Sequence, residues 1–236
     1  MKKQIQEIII TLDGFSSCGK STLARELADE LNYVFIDSGA MYRAITLYFL
    51  RQHIDWKYAK EVIAALEEIS LDFQYNEQSR ISDIYLNDED VEAMIRDMLV
   101  SEHVSEVAAI KEVREFAVAQ QQLMGKKKGI VMDGRDIGTT VFPDAELKIF
   151  VVADATVRVE RRFKEMFEKN QNITIEEVKS NLEMRDYIDS HREFSPLRKA
   201  TDAIELDNSL LTREEQLEIV LKWVKAVLAK NQKNIL

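Results

Sequence analysis

Short apolar runs alternate with amphipathic stretches along most of this chain, which is typical of strands that alternate with helices. Five apolar runs predict strands at residues 5–12, 34–36, 129–132, 147–152 and 203–206. Helical spacing of apolar residues predicts helices near residues 21–31, 40–51, 56–69, 102–110, 113–124, 155–169, 174–187 and 212–229. This order predicts an α/β fold, with a mainly parallel sheet covered by helices on both faces.

The alternation changes between residues 70 and 100. Residues 71–74 and 84–86 are typical of short strands, and the polar sequence NEQSR lies between them. This pattern predicts a hairpin, and hence a small mixed α/β insertion in the parallel fold.

The first predicted strand leads into a glycine-rich loop. Residues 7–22 read EIIITLDGFSSCGKST, which contains Gly14-x4-Gly19-Lys20-Ser21 between a strand and a helix. In this context, backbone amides and the helix N-terminus can bind a phosphate. We expect Lys20 to reach the β- and γ-phosphates and the Ser21 hydroxyl to face Mg²⁺. An ordinary glycine-rich turn would not require the lysine.

Composition narrows the possible partners. The 236 residues are enough for one domain, with or without an insertion. A formal net charge of −10 argues against nucleic-acid binding, so anionic ligands must be bound by locally clustered Arg and Lys. No run approaches the roughly 18 apolar residues of a membrane helix. We see no signal peptide and expect a cytoplasmic protein.

The only cysteine, Cys18, lies inside the glycine-rich loop. We expect a small side chain that fills the turn rather than a reactive thiol, since no base is adjacent in sequence. One cysteine also excludes an intramolecular disulfide.

A second candidate site follows the strand IVM. Asp133 ends this strand and is expected to hold Mg²⁺ or its water shell, although it could merely cap the loop. Arginines are suited to phosphate because their planar fork gives paired, charge-assisted hydrogen bonds. The candidates are Arg43, Arg114, Arg135, Arg161, Arg162, Arg185 and Arg192.

Two functions fit these features. One is a small-molecule kinase; the other is a nucleotide-dependent regulator that binds ATP or GTP without phosphorylating a metabolite. The insertion and the arginines favour a kinase, because they could form a second anionic pocket. No N-K-x-D motif for guanine is present.

Four longer segments resemble the bacterial cytidylate (CMP) kinase family. They are DSGAMYR at 37–43, IRDMLVSEHVSEVAAIKEVRE at 95–115, DGRDIGTTVFPDA at 133–145 and RDYIDSHREFSPL at 185–197. The resemblance runs from about residue 8 to residue 224. It implies a three-layer P-loop nucleoside-monophosphate kinase fold with a five-stranded parallel sheet. The single domain would comprise a core (1–69 and 101–236), a monophosphate-binding insertion (70–100) and a lid (about 155–172).

The resemblance also implies a reaction, ATP with CMP or dCMP, assisted by Mg²⁺ in a monomer. The nearest enzymatic alternative, a shikimate kinase, lacks so large an insertion. ATP would bind at Gly14, Phe15, Ser16, Ser17, Cys18, Gly19, Lys20, Ser21 and Thr22. Cytosine would contact Ser38, Arg114, Asp136 and Arg192; the acceptor phosphate Tyr42, Arg43 and Arg135; the ribose Ser105, Arg185 and Asp189. Lys20, Arg135, Arg161, Arg162 and Asp133 would be catalytic, and Ser21 and Asp133 would bind the metal.

The loop departs from the family pattern GPSGAGKGT. Ser17 replaces a glycine, which raises the question of whether its backbone needs glycine's freedom. Ser21 also replaces a glycine and restores the hydroxyl of the general P-loop motif.

Overall fold

The computed structural model of the protein describes residues 7–76, 81–168 and 173–233. In chain order, its strands and helices are β1 (Ile9–Gly14), α1 (Lys20–Leu31), β2 (Val34–Asp37), α2 (Ser38–Arg51), α3 (Ala59–Glu67), β3 (Leu71–Asn76), β4 (Ile81–Leu86), β5 (Glu89–Asp90), α4 (Met98–Val107), α5 (Lys111–Met124), β6 (Ile130–Gly134), β7 (Leu147–Val152), α6 (Ala155–Phe167), α7 (Ile175–His191), β8 (Ile204–Asp207) and α8 (Arg213–Lys233).

Five strands form one parallel sheet in the order β2-β6-β1-β7-β8. The predicted five-stranded parallel sheet is therefore confirmed. Strand β1 is central, and its last residues, Asp13 and Gly14, lie between β6 and β7. Loops that follow these strands therefore meet at one edge, where ligands bind in sheets of this kind.

Apolar residues of the strands are buried on both faces of the sheet. On one face, Ile10 and Leu12 pack with Leu23 of α1 and Val220 of α8. On the other, Met132 of β6 packs beneath the segment after β6. Burial on both faces explains why these strands are continuous apolar runs rather than alternating ones.

The predicted hairpin at residues 71–86 is present as β3 and β4, which pair antiparallel and continue into β5. Ile84, Leu86 and Val91 are buried in the same core as Phe49 of α2, so this small sheet is packed onto the helices. Part of the predicted NEQSR turn, residues 77–80, lies outside the described residues.

Several boundaries differ from the sequence predictions. Helix α3 is shorter than the predicted 56–69, and α4 begins at Met98 rather than residue 102. A π-helical turn, Ile137–Val141, was not predicted.

The helices α6 and α7 pack against each other through Val159, Phe163, Val178 and Leu182. The capping residue predicted for α7 is confirmed, because Thr174 and Glu177 form a reciprocal capping box. In the part of the chain that the structure describes, none of the helices combines the length and apolar content that crossing a membrane requires.

Candidate active site

The loop between β1 and α1 has the backbone geometry of a phosphate cradle. A Cβ on Gly14 would lie 2.2 Å from the carbonyl oxygen of Val151, so no side chain fits there. Gly19 has a φ of 87° and precedes α1 without a side-chain cap, which leaves the first amides of the helix free for an anion. Ser17 has a φ of 58°. The position does adopt the left-handed conformation that favours glycine, and a serine occupies it here.

Lys20 lies across this loop. Its buried Nζ donates a 2.7 Å hydrogen bond to the carbonyl of Phe15 and contacts Cys18 Sγ at 3.6 Å. Burial lowers the pKa of Lys20. Cys18 is fully buried and fills the turn, as expected. Phe15 packs edge-on against Phe150, so both Phe15 and Cys18 can serve a phosphate only through their backbones.

Two oxygens suited to a divalent cation lie beside the lysine. The Ser21 hydroxyl donates a 2.7 Å hydrogen bond to Asp133 Oδ2, whereas Asp133 Oδ1 is buried and has no partner. Burial raises the pKa of Asp133 to about 6, and the nearby Asp37 carboxylate adds to this shift. Within the described ranges, no group of three His, Cys, Asp or Glu side chains is arranged for a metal. The pair matches Mg²⁺, which typically takes one or two protein ligands and completes its shell with phosphate and water.

A cleft of about 320 Å³ opens from the loop towards α2, α4 and α7. It gathers most of the residues singled out in the sequence. Those lining it are Ser16, Ser17, Gly19, Lys20, Ser21, Thr22, Ser38, Tyr42, Arg43, Ser105, Arg114, Asp133, Arg135, Asp136, Arg162, Arg185, Asp189 and Arg192.

A buried charge cluster forms the far end of the cleft. Asp136 pairs with Arg114, and its other carboxylate oxygen lies 3.6 Å from Arg192. Arg114 also donates to the Ala108 carbonyl at 3.1 Å and stacks over the Tyr42 ring, 5.2 Å from its centre. This network fixes one carboxylate and two guanidinium groups in a small volume, which suits an edge that both donates and accepts hydrogen bonds.

Closer to the loop, the positive charge is uncompensated. Arg185 is buried, yet in the described part of the chain it forms no hydrogen bond or ion pair, and burial followed by repulsion from Arg43 lowers its pKa to about 9. Burial likewise lowers the pKa of Arg43. Arg135, by contrast, is paired with Asp189 at 2.8 Å. Two cations that repel each other in a polar cleft form a site for a multiply charged anion.

The two adjacent arginines of α6 face different cavities. Arg162 lines the cleft, whereas Arg161 donates two 3.1 Å hydrogen bonds to Asn208, through its side-chain and main-chain oxygens. Arg161 lines a second cavity of about 660 Å³ together with Leu211. The P-loop borders both cavities, so the structure does not bring Arg161 into the cleft with the other predicted arginines.

Four residues at the site were not singled out in the sequence. Arg158 donates to the Ser16 carbonyl at 3.2 Å and pairs with Asp186 at 2.6 Å. Arg96 reaches the cleft from the segment after β5. Asn208 and Asp13 end strands of the sheet, and the strand-end rule that identified Asp133 could have identified them. No local pattern marks Arg158 or Arg96.

Comparisons with known proteins give one consistent result. The family model described as Cytidylate kinase matches residues 10–226. A cytidylate kinase of Flavobacterium psychrophilum is 54% identical over 94% of this chain and all of its own. One from Bacteroides thetaiotaomicron is 55% identical over 91% of this chain and 95% of its own. An uncharacterized protein from Eubacterium ventriosum, of known crystal structure, is 10% identical, with a TM-score of 0.50 over 94% of this chain and 99% of its own; it supports the fold alone.

Proposed function

Because this chain belongs to the cytidylate kinase family, we propose that it transfers the γ-phosphoryl group of ATP to the 5′-phosphate of CMP and dCMP. The observation that carries the proposal is the placement of Asp136, Arg114 and Arg192 in the same cleft as Lys20 and the unpaired Arg185. A base site, an anion site and a P-loop thus follow one another along one cavity.

The buried charge cluster selects the base. Cytosine presents an amine that Asp136 can accept, and its N3 and O2 can accept from Arg114 and Arg192. Uracil and thymine present a carbonyl in place of the amine, so the carboxylate would face an acceptor. Leaving buried polar groups unpaired discriminates strongly against such a ligand. Ser38 and Tyr42 line the same end of the cleft.

The acceptor phosphate is proposed to lie beside Arg43, Arg135 and Arg185. These guanidinium groups supply more positive charge than the nearby carboxylates compensate, and a dianionic phosphate removes the mutual repulsion. Ser105 and Asp189 line the cleft between this site and the base site and would contact the ribose.

The P-loop separates the acceptor from the donor. The amides of residues 14–22 and the Lys20 ammonium would hold the phosphates of ATP, and the second cavity would hold its nucleoside, beside Arg161 and Asn208. The loop borders both cavities, so a nucleotide that lies along it presents its γ-phosphate to the cleft.

The oxygens of Ser21 and Asp133 fit a magnesium ion, since Asp133 Oδ1 is buried without a partner. They would hold the ion next to the phosphates. When bound, Mg²⁺ supplies positive charge to the phosphate oxygens.

Transfer needs no general base, because the acceptor phosphate is already anionic. The chain's contribution is to align the two phosphates and to neutralise charge on the migrating group through Lys20, Arg135 and Arg162. We divide the chain into a core (1–69 and 101–236), an acceptor insertion (70–100) and a lid (about 155–172) that bears Arg162. Movement of lid and insertion onto the cleft would exclude water, the competing acceptor.

We also propose that the enzyme acts as a monomer, because one chain supplies both cavities and the P-loop between them. Light scattering coupled to gel filtration tests this: a mass near 27.3 kDa supports it, and a stable dimer contradicts it.

A coupled ADP-release assay tests the proposed function. With CMP, dCMP, UMP, AMP and shikimate as acceptors, we expect rapid turnover of CMP and dCMP and slow or no turnover of the others. Preference for shikimate or AMP would assign a different small-molecule kinase. ATP binding without ADP release from any acceptor would instead indicate a nucleotide-dependent regulator.

A further inference from the structure

Asp13 holds the main chain that follows the base-reading residue. It ends the central strand β1, is only 5% exposed, and uses both carboxylate oxygens for backbone amides. Oδ1 accepts from the Ile137 amide at 2.8 Å, and Oδ2 accepts from the Gly138 amide at 2.7 Å. These two amides begin the π-helical turn directly after Asp136.

The turn lies tightly against the strand. A Cβ on Gly138 would be 2.9 Å from Thr11 Oγ1 and 3.3 Å from Asp13 Oδ2. Asp136 itself has φ −146° and ψ 26°, outside the turn. The position of its side chain is therefore set by where the next two residues are fixed.

We propose that Asp13 is a positioning residue for the acceptor base, because its grip on Ile137 and Gly138 sets where Asp136 presents its carboxylate. The inference rests on the proposed function, which assigns Asp136 to cytosine. Burial raises the pKa of Asp13 to about 7, so the interior opposes its charge. Two charge-assisted hydrogen bonds to the turn offset that cost.

A different role would be support of the P-loop, since Asp13 directly precedes Gly14. The contacts argue against it. Among the described residues, the hydrogen bonds of the Asp13 carboxylate go to residues 137 and 138 and none goes to the loop. The two roles differ in which substrate suffers when the carboxylate is changed.

Asp13→Asn is the informative variant, because it keeps the shape but turns an NH₂ group towards one of the two amides. We expect the KM for CMP to rise about tenfold, in line with the loss of one buried hydrogen bond, while the KM for ATP stays within about twofold. We also expect faster amide exchange in residues 134–141.

Thr11→Val is the matched control. Thr11 lies on the same face of β1, beside Gly138, and its buried hydroxyl has no hydrogen-bond partner. This variant changes packing at the turn without removing a hydrogen bond, so both KM values should stay within about twofold of the wild type, since no buried hydrogen bond is lost.

Equal increases in both KM values for Asp13→Asn would overturn the inference, as would the same CMP defect in Thr11→Val. Turnover of CMP by the wild type is measured first. If it is absent, the proposed function fails, and unchanged exchange in residues 134–141 of Asp13→Asn would separately refute the grip. Should Asp13→Asn not fold, the wild type decides by its Ile137 and Gly138 amides. Slow exchange before CMP is added supports a preset turn, and fast exchange contradicts it.

Discussion

The hydroxyl of Ser21 and the carboxylate of Asp133, 112 positions apart in the chain, meet through a 2.7 Å hydrogen bond beside Lys20. The bond joins the first turn of α1 to the end of β6, on the edge of the sheet where the P-loop lies. It leaves Asp133 Oδ1 without a partner in a buried position. Both residues are thereby held as a pair of oxygens on one side of the phosphate site.

This pair predicts a specific magnesium defect. In Ser21→Ala we expect the Mg²⁺ concentration for half-maximal rate to rise about tenfold, as expected for the loss of one ligand worth about 1.4 kcal/mol. Initial rates over a Mg²⁺ titration give the value. Ser101→Ala, a buried serine of α4 in the same cleft, is the control and should behave as the wild type. An unchanged Mg²⁺ requirement in Ser21→Ala removes Ser21 from the metal site.

The base site predicts a substrate-specific loss. In Asp136→Ala the KM for CMP should rise on the order of 100-fold, since removal of one partner of a buried charge pair costs about 2–5 kcal/mol. The KM for ATP should change little. Steady-state kinetics with each substrate varied in turn measures both. Asp202→Asn, which alters an exposed carboxylate paired with Lys148, is the control. Equal losses for the two substrates would refute the role of Asp136.

Arg185 predicts a trade between stability and activity. It is buried without a carboxylate partner, so Arg185→Met should keep or raise the melting temperature while it weakens CMP binding. Arg192→Met is the contrast. Arg192 donates to the Ser195 carbonyl at 2.9 and 2.7 Å and lies 3.6 Å from Asp136, so its loss should lower the melting temperature. Calorimetry compares the two variants, and a lower melting temperature for Arg185→Met counts against an uncompensated charge.

Asp13 predicts how stability depends on pH. Its pKa is about 7 in the folded protein, against 3.8 as the ordinary value, so between these values the folded state binds more protons than the unfolded state. Linkage then requires that this group's contribution to the free energy of unfolding falls as pH rises through that window. The aspartate is the only difference from Asp13→Asn, so the stability of the wild type minus that of the variant should decline from about pH 5 to about pH 8. Urea unfolding of both proteins measures it, and an increase with pH contradicts the raised pKa.

The parts of the site that the sequence predicted are those set by local chain geometry. Gly14, Gly19 and Lys20 lie in one short motif, and Asp133 ends an apolar strand, so the spacing alone placed them at one edge of the sheet. The strand alternation likewise predicted the parallel sheet, because strands buried on both faces are continuous apolar runs.

The remainder depends on contacts between distant segments. Nothing in the sequence distinguishes Arg185, which has no carboxylate partner, from Arg135, which pairs with Asp189. The doublet Arg161-Arg162 was assigned to one role, but consecutive helical positions face different directions, and Arg161 reaches Asn208 instead. The grip of Asp13 on a turn 124 residues away is invisible for the same reason.

A crystal structure with bound CMP tests the central claim most directly. We predict the 5′-phosphate within hydrogen-bond distance of Arg43, Arg135 or Arg185, and the cytosine amine directed at Asp136, with Arg192 beside the base. CMP bound elsewhere, away from these arginines, or with its base turned away from Asp136, would contradict the account.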